Sequence, residues 1–119
     1  MSSQLPKGGG AGQWFGPGKV YVMKDATDNK FKIGHSEDPE KRLKQIKKQL
    51  DPNKIMLLNS CEALESNRAE TAAQKAAKEK LGLVKDSSRG NATDWFVNPR
   101  RANNKEICSV VEEAVAKQK

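Results

Sequence analysis

A lysine, a glycine and an arginine lie close together in FKIGHSEDPEKRL, residues 31–43, where they could bind an anion. Lys32 alternates with two apolar neighbours, so its ammonium is expected on the polar face of a strand. Gly34 is expected at a turn, and because it has no Cβ, a phosphate could approach the backbone there. Arg42 follows in the next element, and a guanidinium is suited to bidentate phosphate binding. The segment therefore predicts an anion site at a strand-to-helix corner.

Two further residues could take part in chemistry at this corner. Tyr21 lies in an alternating strand earlier in the chain and shares a face with Lys32 if the two strands pair suitably in a hairpin. Glu70 lies at the edge of the alanine face of a later helix, close to whatever the alanines contact. The segment Asn67-Arg68-Ala69-Glu70 also fits a capping box, in which Glu70 only accepts a backbone hydrogen bond. From the residues alone, the capping box is the favoured alternative.

The helix that carries Arg42 has a strongly basic surface. Its apolar stripe is centred on Leu43, Ile46 and Leu50, and at about 100° per residue Arg42 lies about 70° from that centre. This border position leaves two alternatives, a guanidinium that reaches over the sheet or a stem that covers the core. The lysines that point the opposite way are either ordinary surface charges or nucleic-acid contacts: Lys41, Lys44 and Lys48.

Composition limits the class of protein. The chain has 119 residues, enough for one domain, and its net charge of +7 favours a polyanionic partner. Two cysteines and one histidine argue against a disulfide framework and against a metal site built from nitrogen and sulfur. No segment approaches the about 20 apolar residues of a membrane span, and the front lacks the apolar stretch of a signal peptide. We therefore expect an intracellular protein, without a distinction between nucleus and cytoplasm.

The order of the elements predicts a small α+β domain with a mainly antiparallel three-stranded sheet flanked by about three helices. Residues 1–18 are expected to form a flexible glycine-rich tail, and residues 19–119 a single domain. The predicted elements are strands over 19–24 and 30–34, a helix beginning at Pro39 after the N-cap Asp38, a strand over 54–59, helices over 67–81 and from 103 or 104, and DWFVN (94–98) as an edge strand or an anchor.

Taken together, these residues resemble the GIY-YIG endonuclease superfamily, and more closely its small phage DNA-binding and meiotically up-regulated branches. The resemblance covers about residues 18–100. It implies a β-sheet flanked by helices, with a tyrosine, an arginine and a glutamate gathered on one face. The corresponding segments are Lys19-Val20-Tyr21 for the first motif, Lys32-Ile33-Gly34 for the second, then Arg42, Glu70 and Asp94-Trp95-Phe96.

This resemblance implies metal-dependent phosphodiester hydrolysis, with Tyr21, Arg42 and Glu70 as the catalytic residues. Glu70 would bind Mg²⁺ or Mn²⁺ together with waters and the substrate phosphate. Arg42 would clamp the phosphate and stabilise the charge that develops on it. Either Tyr21 or a metal-bound water would handle the proton of the nucleophile. Nucleic acid, in the first place DNA, is the expected partner, contacted by Lys32, His35, Lys41, Lys44 and Lys48.

Two departures from the family pattern bear on activity. Lys19 replaces the glycine of the first motif, and Lys32 replaces the tyrosine of the second. These changes leave open whether the chain is an enzyme, since the usual proton-handling arrangement is altered. The alternative function is a catalytically inactive binding or scaffold module that uses the basic surface for an acidic protein partner.

Overall fold

The computed structural model describes residues 16–27, 29–49, 54–86 and 94–118. The strands described there form one antiparallel sheet with the spatial order β3-β1-β2-β5-β4, and helices cover both faces. The predicted α+β class with three helices is confirmed. In chain order the elements are β1 (Gly18–Asp25), β2 (Lys30–Ser36), α1 (Pro39–Gln49), β3 (Ile55–Ala63), α2 (Ser66–Leu81), β4 (Val84–Lys85), β5 (Trp95–Val97) and α3 (Asn104–Ala116).

The sheet has five strands, so the prediction of three is wrong in number. Strands β4 and β5 are only two and three residues long, too short for an alternating pattern to identify them. Strand β5 lies between β2 and β4, and DWFVN therefore contributes an internal strand rather than an edge. The two edges of the described sheet are β3 and β4.

Alternation along β1 divides the interior into two cores. Val20 and Val22 are fully buried and face the side covered by α2 and α3, whereas Tyr21 and Met23 face α1. Each buried valine contributes roughly 1.5–3 kcal/mol through removal of apolar surface from water. Helix α2 meets the first core through the small side chains predicted for that purpose, with Ala69, Ala73 and Ala77 all fully buried.

The corner between β2 and α1 comes later than the sequence indicates. Strand β2 continues through Gly34 to Ser36, so the expectation that Gly34 lies at a turn is wrong. The helix start is confirmed, since Asp38 Oδ1 accepts a hydrogen bond from the Lys41 N–H at 3.2 Å and Pro39 is the first helical residue. Ile46, in the apolar stripe of α1, is buried as predicted.

Some predicted features lie outside the described residues. They are residues 1–15 of the expected tail, and the side chain of Leu50 in the apolar stripe of α1.

Strand β1 begins at Gly18, and the carbonyl of Gly16 already accepts a hydrogen bond from the Ser66 N–H at 3.1 Å. No helix in the described segments is long and apolar enough to cross a membrane.

Helix α3 offers a direct test of its capping. Asn103 Oδ1 accepts from the Glu106 N–H at 2.8 Å, and Glu106 Oε1 accepts from the Asn103 N–H at 3.0 Å. We expect Asn103→Ala to lower the free energy of unfolding by about 1 kcal/mol in denaturant titrations, because one end of this capping box is lost. Ser109→Ala, at an exposed position of the same helix, is the control. Equal stabilities for the two variants would contradict the role of the cap.

Candidate functional site

The candidate site is centred on the hydroxyl of Tyr21. Strand register pairs Tyr21 with Gly34, and the tyrosine is only 1% exposed. A Cβ added to Gly34 would lie 2.5 Å from Tyr21 Oη and 3.1 Å from Asp94 Oδ2. Real side chains do not approach so closely, so a glycine is required here by the phenol that crosses it rather than by a chain turn.

Lys32 lies on the same face of the sheet as Tyr21, since it pairs with Met23 on β1 and with Trp95 on β5. Its ammonium forms an ion pair with Asp94 Oδ2 and lies 5.8 Å from the centroid of the Trp95 ring. Burial lowers the pKa of Lys32, and the charge and hydrogen bond of Asp94 oppose that shift. The shared face agrees with the sequence, but the ammonium is buried and paired rather than open to solvent.

Arg42 lies at the rim of this cluster, in the first turns of α1. It is exposed, and its Nη1 donates to Gln45 Oε1 at 3.1 Å. Burial raises the pKa of Tyr21, and a hydrogen bond and the positive charge of Arg42 act in the opposite direction. Of the two alternatives that the helical geometry leaves for Arg42, this influence on Tyr21 favours the side chain that reaches over the sheet.

Glu70 approaches the cluster from α2, on the opposite face. Its Oε1 lies 3.1 Å from His35 Nδ1, and this buried nitrogen forms no hydrogen bond within the part of the chain that the structure describes. The capping-box interpretation of Glu70 is wrong, because α2 begins at Ser66 and its N-cap is Glu65. The charge of Glu70 acts on both Tyr21 and Lys32, raising the pKa of each.

An open edge of β2 lets groups from the two faces meet. Within the described residues, β5 pairs with β2 only at Phe31 and Lys32. The next residue, Ile33, donates its N–H to the Asp94 carbonyl at 3.0 Å, and its own carbonyl accepts from Gln74 Nε2 at 2.7 Å. No described strand covers β2 on this side beyond that point. Side chains from α1 and α2 can therefore approach each other past the bare backbone of Gly34.

The protonation state of Tyr21 follows from its surroundings. Burial raises its pKa far above the usual value, and the charges of Asp94 and Glu70 raise it further. Arg42 opposes this shift only in part. The phenol consequently stays neutral at physiological pH and can donate a hydrogen bond, but it is not a general base there.

The fit of a divalent cation is limited. In the described part of the chain, no three histidine, cysteine, aspartate or glutamate side chains cluster to hold a metal. The side chain of Glu70 is 18% exposed and offers a hard oxygen ligand, whereas His35 Nδ1 is shielded from solvent. These residues fit Mg²⁺ or Mn²⁺ bound through one protein carboxylate, with waters and a substrate phosphate supplying the remaining oxygens.

The structure thus places Tyr21 and Lys32 on one sheet face, within the electrostatic influence of Arg42 and Glu70. It adds Gln74, which the sequence does not single out, and the pairing of Asp94 with Lys32. Gln74 lies four residues after Glu70, a spacing that places both on one face of α2 and could have indicated it. Asp94 is separated from its partner by 62 positions, and no local pattern signals the pair. Of the remaining predicted nucleic-acid contacts, His35 lies beside Glu70 on the opposite sheet face. The others are exposed on α1: Lys41, Lys44 and Lys48.

A cavity of about 740 Å³ near the first residues of β1 is a weaker candidate. Its surface is largely apolar, and two of its side chains are acidic, which disfavours an anionic ligand. None of the four clustered residues lines it. Its lining consists of Pro17, Gly18, Lys19, Glu37, Glu62, Ala63 and Leu64.

Fold and site together define a small α+β domain that carries an arginine, a tyrosine and a glutamate at an open sheet edge. The family model described as the T5orf172 domain matches residues 18–116, and the chain belongs to that family. This domain is commonly associated with phage nuclease-related proteins of the GIY-YIG and HNH kinds, although the match itself does not name GIY-YIG. No curated protein and no solved structure matches the chain.

The pKa of Tyr21 can be measured directly because it is the only tyrosine in the chain. We expect tyrosinate absorbance to appear well above pH 10, the usual midpoint for this side chain. The unfolded chain ionises first, so this residue lowers the free energy of unfolding only as the pH rises above about 10. Arg42→Gln should raise the midpoint further, and Asp94→Asn should lower it. A normal midpoint in the folded protein would contradict the burial of the phenol.

The contact between Tyr21 and Gly34 yields a second prediction. Gly34→Ala should lower the free energy of unfolding by roughly 1–3 kcal/mol, because the new methyl group overlaps the phenol. In a Tyr21→Phe background the loss should be smaller, since the nearest atom, Oη, is absent. Denaturant unfolding of the four proteins in this cycle measures the coupling. Additive losses would show that the methyl group and the hydroxyl do not meet.

Proposed function

We propose that this protein binds nucleic acid, in the first place DNA, and hydrolyses phosphodiester bonds with Mg²⁺ or Mn²⁺ at Tyr21, Arg42 and Glu70. The observation that carries the proposal is that Tyr21 and Lys32 lie on one sheet face beside Gly34, within reach of the charges of Arg42 on α1 and Glu70 on α2. Membership of a domain family associated with nuclease-related proteins supports it.

Binding comes first in this proposal. The exposed guanidinium of Arg42 provides a charged, forked donor for phosphate oxygens. The net charge of +7 and the exposed lysines of α1 add a sequence-independent attraction to the polyanion. Little base readout is expected, because contacts to the phosphate backbone carry no direct sequence information.

For hydrolysis, each residue contributes what its protonation state allows. Arg42 stabilises negative charge that develops on the phosphate during attack. The neutral phenol of Tyr21 donates a hydrogen bond to an oxygen at the same centre. Glu70 would hold the divalent cation, which when bound supplies Lewis-acid polarisation of the phosphate. The raised pKa of Tyr21 favours the role of hydrogen-bond donor over that of base.

A catalytically inactive module that binds an acidic protein partner is the second candidate. The observation in its favour is the buried ion pair between Lys32 and Asp94. Lys32 occupies the position where the resembled nucleases have the tyrosine of their second motif. On this proposal the basic surface would remain, but cleavage would be absent. Binding to DNA and nicking of DNA must therefore be measured separately.

We expect supercoiled DNA to be nicked with Mg²⁺ or Mn²⁺ and not with a chelator, and the nicking to be lost in both Arg42→Ala and Glu70→Ala. Arg68→Ala and Glu79→Ala make the same charge changes at exposed positions of α2 and are the matched controls. Thermal unfolding of each variant checks that the fold is retained. Nicking that survives in either site variant would locate the activity elsewhere or identify a contaminant.

Binding is tested with the same variants in the presence of chelator. The affinity for mixed-sequence DNA should fall by about 0.9 log unit per contacted phosphate for each tenfold rise in salt. Arg42→Ala should weaken binding more than Arg68→Ala. Absence of binding to DNA and RNA at low salt would reject the nucleic-acid proposal and favour the acidic-protein module.

A further inference from the structure

We propose that Lys32 Nζ and the Tyr21 hydroxyl form a subsite for a phosphate oxygen beside Gly34. In the free protein the Asp94 carboxylate fills this subsite, and a phosphodiester of nucleic acid takes it by displacing that carboxylate. The inference rests on the proposed binding of nucleic acid. It adds a defined competitor within the chain, which neither the family match nor the sequence indicates.

A single oxygen of Asp94 is central to the argument. Oδ2 forms the ion pair with Lys32, and the same oxygen lies 3.1 Å from the position of a Cβ on Gly34. Tyr21 Oη lies 2.5 Å from that position, so the hydroxyl and the lysine-bound carboxylate oxygen lie on the same side of Gly34. Carboxylate and phosphodiester oxygens accept hydrogen bonds from the same charged donors. A site shaped for one can therefore accept the other.

The exposed fractions of Lys32 and Asp94 show which of the two side chains an anion from solvent would meet first. The side chain of Asp94 is 23% exposed and that of Lys32 only 4%, so the acid lies on the solvent side of the base. A second ion pair in the same sheet has the opposite order, because Asp86 is 4% exposed and Lys30 is 18% exposed. An anion from solvent could replace Asp94 without crossing the lysine, but it could not replace Asp86 in that way.

Burial also selects the chemical class of the ligand. A buried ammonium that loses its counter-ion is left with an uncompensated charge, which strongly disfavours simple withdrawal of Asp94. A neutral sugar or base would not compensate Lys32, whereas a phosphodiester brings the required negative charge. Arg42 is exposed on α1 and its charge acts on the same phenol, so it could bind the same phosphate group.

The experiment measures the affinity of the full chain for a short mixed-sequence DNA at low salt with chelator. Asp94→Asn keeps an oxygen acceptor for Lys32 but removes the competing charge. We expect it to bind about tenfold more tightly than the unmodified protein, as for a close charge pair at an interface. Asp86→Asn makes the same charge change in the inward-facing pair and should leave the affinity nearly unchanged. Thermal unfolding verifies that both variants fold.

A double-mutant cycle separates competition from simple repulsion. In a Lys32→Met background, Asp94→Asn should no longer give the gain, because the subsite has lost its cation. A gain of equal size in both backgrounds, or an equal gain from Asp86→Asn, would overturn the subsite while leaving nucleic-acid binding intact. If the unmodified protein and Asp94→Asn both fail to bind DNA, the proposed function fails and the subsite with it.

Discussion

The site depends on one close contact, in which the hydroxyl of Tyr21 lies across a backbone position that has no Cβ. Gly34 makes room for the phenol, and the phenol is buried as a result. Because burial raises its pKa, the tyrosine stays neutral and acts as a hydrogen-bond donor. Lys32 is also buried on this face, and its charge therefore requires a counter-ion, which Asp94 provides. Arg42 is left at the rim, exposed to solvent.

The sheet brings these groups together by ending one strand early. Strand β5 covers β2 only as far as Lys32, and Gln74 satisfies the next backbone carbonyl in place of a longer strand. A glutamate from α2 can therefore influence a tyrosine that belongs to the α1 face. In the proposed function, phosphate binding would use the guanidinium and the hydroxyl donor, whereas hydrolysis would also require Glu70 and a metal. Binding is for this reason the less demanding part of the proposed function.

Local patterns predict the parts of the structure that local physics determines. Alternation in β1 and β2 gives the two sheet faces, and Asp38 and Asn103 give the starts of α1 and α3. The short strands β4 and β5 carry no period, and they exist because the sheet supplies their partners. The Lys32–Asp94 pair joins distant positions, so no spacing rule could find it. Glu70 fits a capping box in sequence, and only the helix start at Ser66 excludes that role.

The central claim is that a nucleic-acid phosphate binds at the open edge beside Gly34. The most direct measurement is nuclear magnetic resonance of isotope-labelled protein titrated with a short DNA in the presence of chelator. The largest shift changes should occur at the backbone amide of Gly34 and the side-chain N–H of Arg42, with little change along α3. Changes confined to α3, or to the exposed lysines of α1, would show that DNA binds elsewhere and would contradict the assignment of this site.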